Sequence, residues 1–268
     1  MSNILSLRKF SGQLGNHLFQ SNLLLQVSNL LGCGIYFRSN LIDDLFVAKQ
    51  NINFVALART RSITSYSISQ IEEMGFDYWV EAVRNDFANR RLVILGPGVA
   101  GKIFFQSCVN PPGDFIKFVP PFAQRKDFPA VAIHFRAGDF GVWNPKAILP
   151  ESYYMNSLDH LESMGLNVMN SYFATDDPTH PTSVRIAKRI GKPLKIKASV
   201  SCDFQYLSNS QFLISSPSTF AFWAAALGKD VGVIHSKDWL DENESLGVKF
   251  WMDLRKNESN FYRVIAEI

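Results

Sequence analysis

The stretch VAIHFRAGDF, residues 131–140, decides the reading of the fold. Its apolar run reads as a β-strand, and the two-residue strand period sends Ala132, His134 and Arg136 to one face and Val131, Ile133 and Phe135 to the other. Arg136 then reaches out at the end of the strand, where its rigid fork suits phosphate oxygens. Gly138 lets the backbone turn close to a ligand. The residues alone leave two readings open: an edge strand with one solvated face, or an anion-binding turn.

Outward from this stretch, strand and helix signals alternate. Downstream, NVMNSYFAT, PLKIKA, QFLIS and DVGVIH read as strands. Between them lie helical patterns: PESYYMNSLDHLESMG entered through Pro150, PTSVRIAKRIGK stopped near Gly191, and PSTFAFWAAALG running from Pro217 to Gly228. Upstream, ILSLRKF reads as a strand, SGQLGN as a loop, residues 16–32 as a helix and IYFR as a second strand. WVEAVRNDFANR has helical spacing and RLVILG reads as a buried strand, whereas residues 40–90 are otherwise weakly patterned. Strands separated by helices of this length imply parallel sheets with right-handed crossovers. Residues 110–130 hold five of the twelve prolines and mark a linker between two lobes. The expectation is an α/β protein of two Rossmann-type lobes with mainly parallel sheets, 1–120 and 121–268.

Composition excludes several classes of partner. The 268 residues, 47% of them hydrophobic, can bury a sizeable core, and 27 basic against 24 acidic residues imply no large polyanion. The 22 phenylalanines are scattered and not interleaved with Lys/Arg clusters, which argues against a nucleic-acid platform. No window approaches the roughly 18–20 apolar residues of a membrane span. Cys33, Cys108 and Cys202 are widely spaced and odd in number, a pattern of neither a disulfide framework nor a zinc site. With the early charges of MSNILSLRKF, which do not suit a signal peptide, this leads to the expectation of a soluble cytoplasmic protein.

In an open parallel sheet ligands bind beyond the carboxyl ends of the strands, and three polar clusters fall at such ends. The first is His134, Arg136 and Asp139. The second is Asp176 and Asp177 in YFATDDPTH, where helix capping competes with carboxylate chemistry and the Pro-locked adjacent pair suits a metal poorly. The third is the hydroxyl run Ser215, Ser216, Ser218 and Thr219, the last two at a helix start where free N–H groups favour a phosphate. Phe220, Phe222 and Trp223 beside it read as core. One cationic, one acidic and one phosphate-friendly cluster on successive crossovers fit a nucleotide diphosphate.

Four motifs in order resemble those of fucosyltransferases. HFRAGD is similar to the His-x-Arg-x-Gly-Asp element of enzymes that use GDP-fucose. SGQLGNHLFQ, residues 11–20, resembles the opening motif of the α-1,2-fucosyltransferases of glycosyltransferase family 11, and ISSPSTFAFWAAALG resembles a later run of that family. YFATDDP is similar to the Asp-Asp element shared with α-1,6- and nodulation fucosyltransferases. The chain departs from the family at His17 (usually Gln), Ala137 (usually a second Arg), Pro217 (usually Asn) and Phe222 (usually Trp).

The resemblance implies a GT-B-like fold and an inverting, metal-independent transfer of fucose from GDP-fucose to a hydroxyl of an oligosaccharide or glycan acceptor, with no cofactor. It places the acceptor side in the first lobe and nucleotide-sugar binding in the second. It implies catalytic roles for Arg136, Asp139 and Asn16, with Arg136 neutralising the β-phosphate and Asn16 facing the cleft. Donor contacts are implied for His134, Asp177, Ser218, Thr219, Gly15 and Asp176. Asp139 is the carboxylate nearest the motif; a base-free, loosely dissociative transfer is the other possibility. Another GDP-sugar, of rhamnose or mannose type, or a degenerate nucleotide- or glycan-binding protein, are the alternative readings.

Overall fold

The computed structural model describes residues 3–7, 12–37, 46–47, 62–89, 91–96, 117–118, 127–143, 145–192, 198–228, 230–236 and 261–268. The chain divides into two compact units, Met1–Val119 and Pro120–Ile268. Each is built on a sheet of parallel strands, which is the α/β architecture expected.

In the first unit the sheet order is β2-β1-β5-β4, from β1 (Ile4–Leu7), β2 (Gly34–Tyr36), β4 (Ile63–Tyr66) and β5 (Leu92–Leu95). A short antiparallel pair, β3 (Phe46–Val47) with β6 (Lys117–Phe118), stands apart from it. All four residues of β1 are buried, as a central parallel strand requires. Helix α1 (Leu14–Leu31) crosses over from β1 to β2 and ends at Gly32, whose left-handed φ of 61° lets Cys33 N–H reach the Ser28 carbonyl at 3.0 Å. Helix α2 (Ile68–Met74) starts in a Ser67/Gln70 capping box and α3 (Phe76–Ala88) follows at once. β4 and α2 were hidden in the weakly patterned residues 40–90: ITSY alternates polar and apolar at a sheet edge and carries no strong run.

The second unit has the order β11-β10-β9-β7-β8, all parallel. Its strands are β7 (Val131–Phe135), β8 (Tyr172–Thr175), β9 (Phe212–Ile214), β10 (Gly232–His235) and β11 (Arg263–Glu267). Helices α4 (Phe140–Trp143), α5 (Glu151–Ser163), α6 (Pro181–Arg189), α7 (Val200–Asn209) and α8 (Thr219–Leu227) accompany them. β7 lies between β9 and β8 and every one of its residues is buried, so the edge-strand reading is corrected: this strand has no solvated face. The alternation itself holds. Val131, Ile133, Phe135 and Ala137 join Tyr153, Tyr154, Leu158 and Leu161 of α5 in one core, while His134 turns the other way, its ring 5.7 Å from that of Phe220 on α8. Burial of about 1.5–3 kcal/mol per large apolar side chain holds both layers to the strand.

Two boundaries differ from the sequence reading, and two elements are new. The strand expected over NVMNSYFAT is only Tyr172–Thr175, because Asn167 Oδ1 accepts Met169 N–H at 2.9 Å and Asn170 adopts φ 69°, making a turn. Helix α8 begins after Ser218, its N-cap, so Pro217 stands before the helix. Helix α7, capped by Ser199, and the terminal strand β11 were not expected at all. The PLKIKA strand and most of the proline-rich segment fall outside the described residues.

Candidate active site

Where β7 ends, the backbone of Ala137 and Gly138 is held by a carboxylate from the neighbouring strand end. Asp176 Oδ1 accepts the N–H of Ala137 at 2.9 Å and of Gly138 at 3.1 Å. Its Oδ2 pairs with Arg136 Nε at 3.1 Å. A Cβ on Gly138 would stand 2.9 Å from that Oδ2, so the glycine makes room for Asp176. The same guanidinium donates from Nη2 to Asp139 Oδ2 at 2.6 Å and lies 5.9 Å over the Phe140 ring.

The two carboxylates on Arg136 differ in kind. Asp139's side chain is 62% exposed and that of Asp176 only 19%. The outer pair is screened by water and worth little, so an anionic ligand can take its place, whereas the inner pair is built into the turn. Ala137 is in the core, 2% exposed, and continues the apolar face of β7. Position 137 could carry a second arginine only by burying an unpaired charge.

Asp177 serves its own loop. Its Oδ1 accepts from Thr179 N–H at 3.0 Å, Thr179 Oγ1 at 2.7 Å and His180 N–H at 3.2 Å. The Thr179 hydrogen bonds hold its carboxyl below the usual range. The capping reading of the Asp-Asp pair is corrected: Asp177 closes the turn three residues ahead of His180, and it is His180 that caps α6 by accepting from Thr182 N–H. Oδ2 of Asp177 takes none of these bonds.

The turn from β9 into α8 is pinned from β7, β10 and α5. Ser216 N–H donates to the His134 carbonyl at 3.2 Å, and Ser216 Oγ shares a 2.7 Å hydrogen bond with His134 Nδ1. Burial, aided by the charge of Arg136, lowers the His134 pKa to about 3, so the ring is neutral near pH 7. Ser218 Oγ accepts Phe220 N–H at 3.2 Å as the N-cap of α8, with Thr219 next in the first turn. Phe222 and Trp223 are core residues.

The remaining two expected residues belong to the first unit. Gly15 is buried in the first turn of α1, whose N-cap, Gln13, makes no side-chain cap. Asn16 folds back over Gly12, which at φ 80° leaves no room there for a Cβ. Burial pushes the neighbouring His17 imidazole below its ordinary pKa, opposed by a hydrogen bond with the Gly12 backbone.

Of the expected residues, the second unit brings Arg136, Asp139 and Asp176 into direct contact and sets His134 against the turn that carries Ser218 and Thr219. Sequence reasoning gave no role to Ser216, Tyr153 or Phe140. Ser216 was visible only as one hydroxyl in a run, and the two aromatics carry no signal that separates them from core.

This arrangement sits on a two-sheet α/β fold that solved structures share. The solved structures it resembles include two crystal forms of POFUT1 in complex with GDP-fucose, with TM-scores of 0.53 and 0.52 at 10% identity. Each match covers 87% of this chain, and 97% and 98% of those chains. The fucosyltransferase NodZ from Bradyrhizobium matches at a TM-score of 0.43 and 12% identity, over 85% of this chain and 92% of that one. No protein-family model and no curated protein matches the sequence. Among the described residues, no helix is long and apolar enough to cross a membrane.

Proposed function

We propose that the chain is a glycosyltransferase that moves a fucosyl group from GDP-fucose to a hydroxyl of a glycan acceptor, with inversion and without a metal ion. The observation that carries this reading is Arg136, held by Asp176 at the carboxyl end of a central parallel strand. It stands on a fold shared with a protein solved with GDP-fucose.

The transfer is one in-line displacement at the anomeric carbon. The acceptor oxygen bonds to that carbon as the bond to the β-phosphate oxygen breaks, and the electron pair leaves on the phosphate. Arg136 neutralises that charge in place of a divalent ion, with the first-turn N–H groups of α8 and the hydroxyls of Ser218 and Thr219 on the remaining oxygens. Asp139 accepts the acceptor's proton: a phosphate that replaces it on Arg136 sets its carboxylate free. Asp177 meets the nucleoside through the oxygen its own loop leaves open, and His134 supports that wall from below. Gly15 and Asn16 retain the role in the first unit that the resemblance implies.

Ala137 favours a second reading, a GDP-linked rhamnose or mannose donor, because the family's usual second cation at that position has no counterpart in the core site of Ala137.

Calorimetric titration with GDP, UDP and ADP, with and without EDTA, tests the proposal. Binding of GDP alone, indifferent to EDTA and lost in Arg136→Ala, is expected. A preference for UDP or a requirement for metal would overturn it, and GDP binding without turnover of any GDP-sugar would leave a binding protein.

A further inference from the structure

Tyr153 is 3% exposed and lies on the core face of α5, yet its hydroxyl does what a core aromatic need not do. It points at two main-chain carbonyls, Ser215 O at 2.9 Å and Ile234 O at 2.7 Å, on the ends of adjacent strands β9 and β10. Ser215 N–H donates to the same Ile234 carbonyl at 3.1 Å. One residue further on, Ser216 is bound to His134 by both backbone and side chain. The adjacent Tyr154 gives an internal comparison: it is equally buried, its ring is 4.8 Å from that of Tyr153, and its hydroxyl faces Ser216 without a well-aligned hydrogen bond among the described residues.

We propose that Tyr153 and the His134–Ser216 pair form a buried brace that sets the position of the Ser215–Thr219 turn. On the donor reading given above, on which this part rests, Tyr153 is a positioning residue for the nucleotide phosphates. It acts through Ser215 and touches no substrate. The physical reason is the turn's own chemistry. β9 ends at Ile214, Pro217 has no N–H to donate, and the N-cap of α8 follows at Ser218. Two residues, Ser215 and Ser216, therefore carry the tethers between strand and helix. Ser215 is buried, and the Tyr153 hydroxyl shares its one proton between the Ser215 and Ile234 carbonyls, so removing it weakens both tethers at once.

Tyr153→Phe removes one oxygen and leaves the packing. Hydrogen exchange and donor kinetics on the full chain separate the two parts of the proposal. In Tyr153→Phe, exchange in peptides spanning residues 212–222 should quicken by about fivefold to tenfold, the scale of one net buried hydrogen bond. The dissociation constant for GDP should rise by a similar factor while kcat at saturating donor stays within about twofold. Ser216→Ala should reproduce both changes and stands in if Tyr153→Phe does not fold. Tyr154→Phe should change neither.

Unchanged exchange in folded Tyr153→Phe and Ser216→Ala overturns the brace, whatever happens to affinity. Faster exchange with unchanged GDP affinity overturns the positioning role. If the wild-type chain binds no GDP, the donor reading and the positioning role fall together, and exchange alone still decides the brace.

Discussion

Asp176 grips Arg136 and the turn behind it with one carboxylate, Oδ2 on the guanidinium Nε at 3.1 Å and Oδ1 on the N–H groups of Ala137 and Gly138. Asp176→Asn keeps an oxygen for the amides and removes the charge that aligns Arg136. Charge-assisted hydrogen bonds are worth about 1.5–3 kcal/mol, so urea unfolding should show a loss of that order. GDP affinity should fall with it. A variant that unfolds at the wild-type midpoint and binds GDP normally would sink the assignment of Asp176 as a clamp.

Gly138 exists for that clamp. Gly138→Ala places a methyl against Asp176 Oδ2 and should cost about 1–2 kcal/mol by displacing the carboxylate. The same change made in an Asp176→Ala background should cost little, because the obstructed group is gone. Additive costs in this double-mutant cycle would show that the glycine answers to something else.

Arg136→Lys tests geometry against charge. Lysine keeps one positive charge but cannot bond Asp176 and a phosphate through separate fixed donors. Turnover of a GDP-sugar should fall by about 10²–10³, the range seen when one preorganised donor of charge stabilisation is lost. Arg136→Ala should fall at least as far. Steady-state rates within tenfold of wild type for the lysine variant would reduce Arg136 to a bulk cation.

His134 predicts a direction for acid stability. Its folded-state pKa is depressed to about 3, against 6.5 for the free side chain, chiefly by burial. Below pH 6.5 the unfolded chain therefore binds a proton that the folded chain refuses, and stability falls as pH drops through the window from 6.5 toward 3. Between pH 6.5 and 4.5 this should amount to something on the order of 2 kcal/mol. His134→Asn can still bond Ser216 but does not titrate, so its unfolding free energy should be flatter over that range. Parallel curves for the two proteins would place the acid sensitivity elsewhere.

Much of this was legible in the sequence because periodicity survives burial. VAIHF alternates correctly although both of its faces are covered, and the helices entered through Pro150 and ended at Gly228 follow from local backbone chemistry. What was not legible has two physical causes. ITSY and RVIAE lie at sheet edges, where half-exposed positions accept mixed residues and blur the pattern. The site partners were hidden differently. That Asp176 serves the turn while Asp177 serves its own loop depends on which carboxylate faces β7, a property of the twist between two strands and not of the string TDDP. Nor could Tyr153 be told from Tyr154, since only the hydroxyls differ in what they meet.

The pairing of Val131 with Phe212 carries a consequence for how the protein is made. As the chain emerges at about 5–20 residues per second, the strand that leads into Arg136 is finished seconds before β9 exists to pair with it. Through that interval an apolar segment built to be covered on both faces has only β8 to pair with, and the backbone edge meant for β9 stays open, a template for association with other chains. Loop closure over so long a span also makes the pairing slow once the partner arrives. Sheltering VAIHF during synthesis, by a lower growth temperature or a bound chaperone, should therefore raise the yield of folded molecules without changing the finished fold.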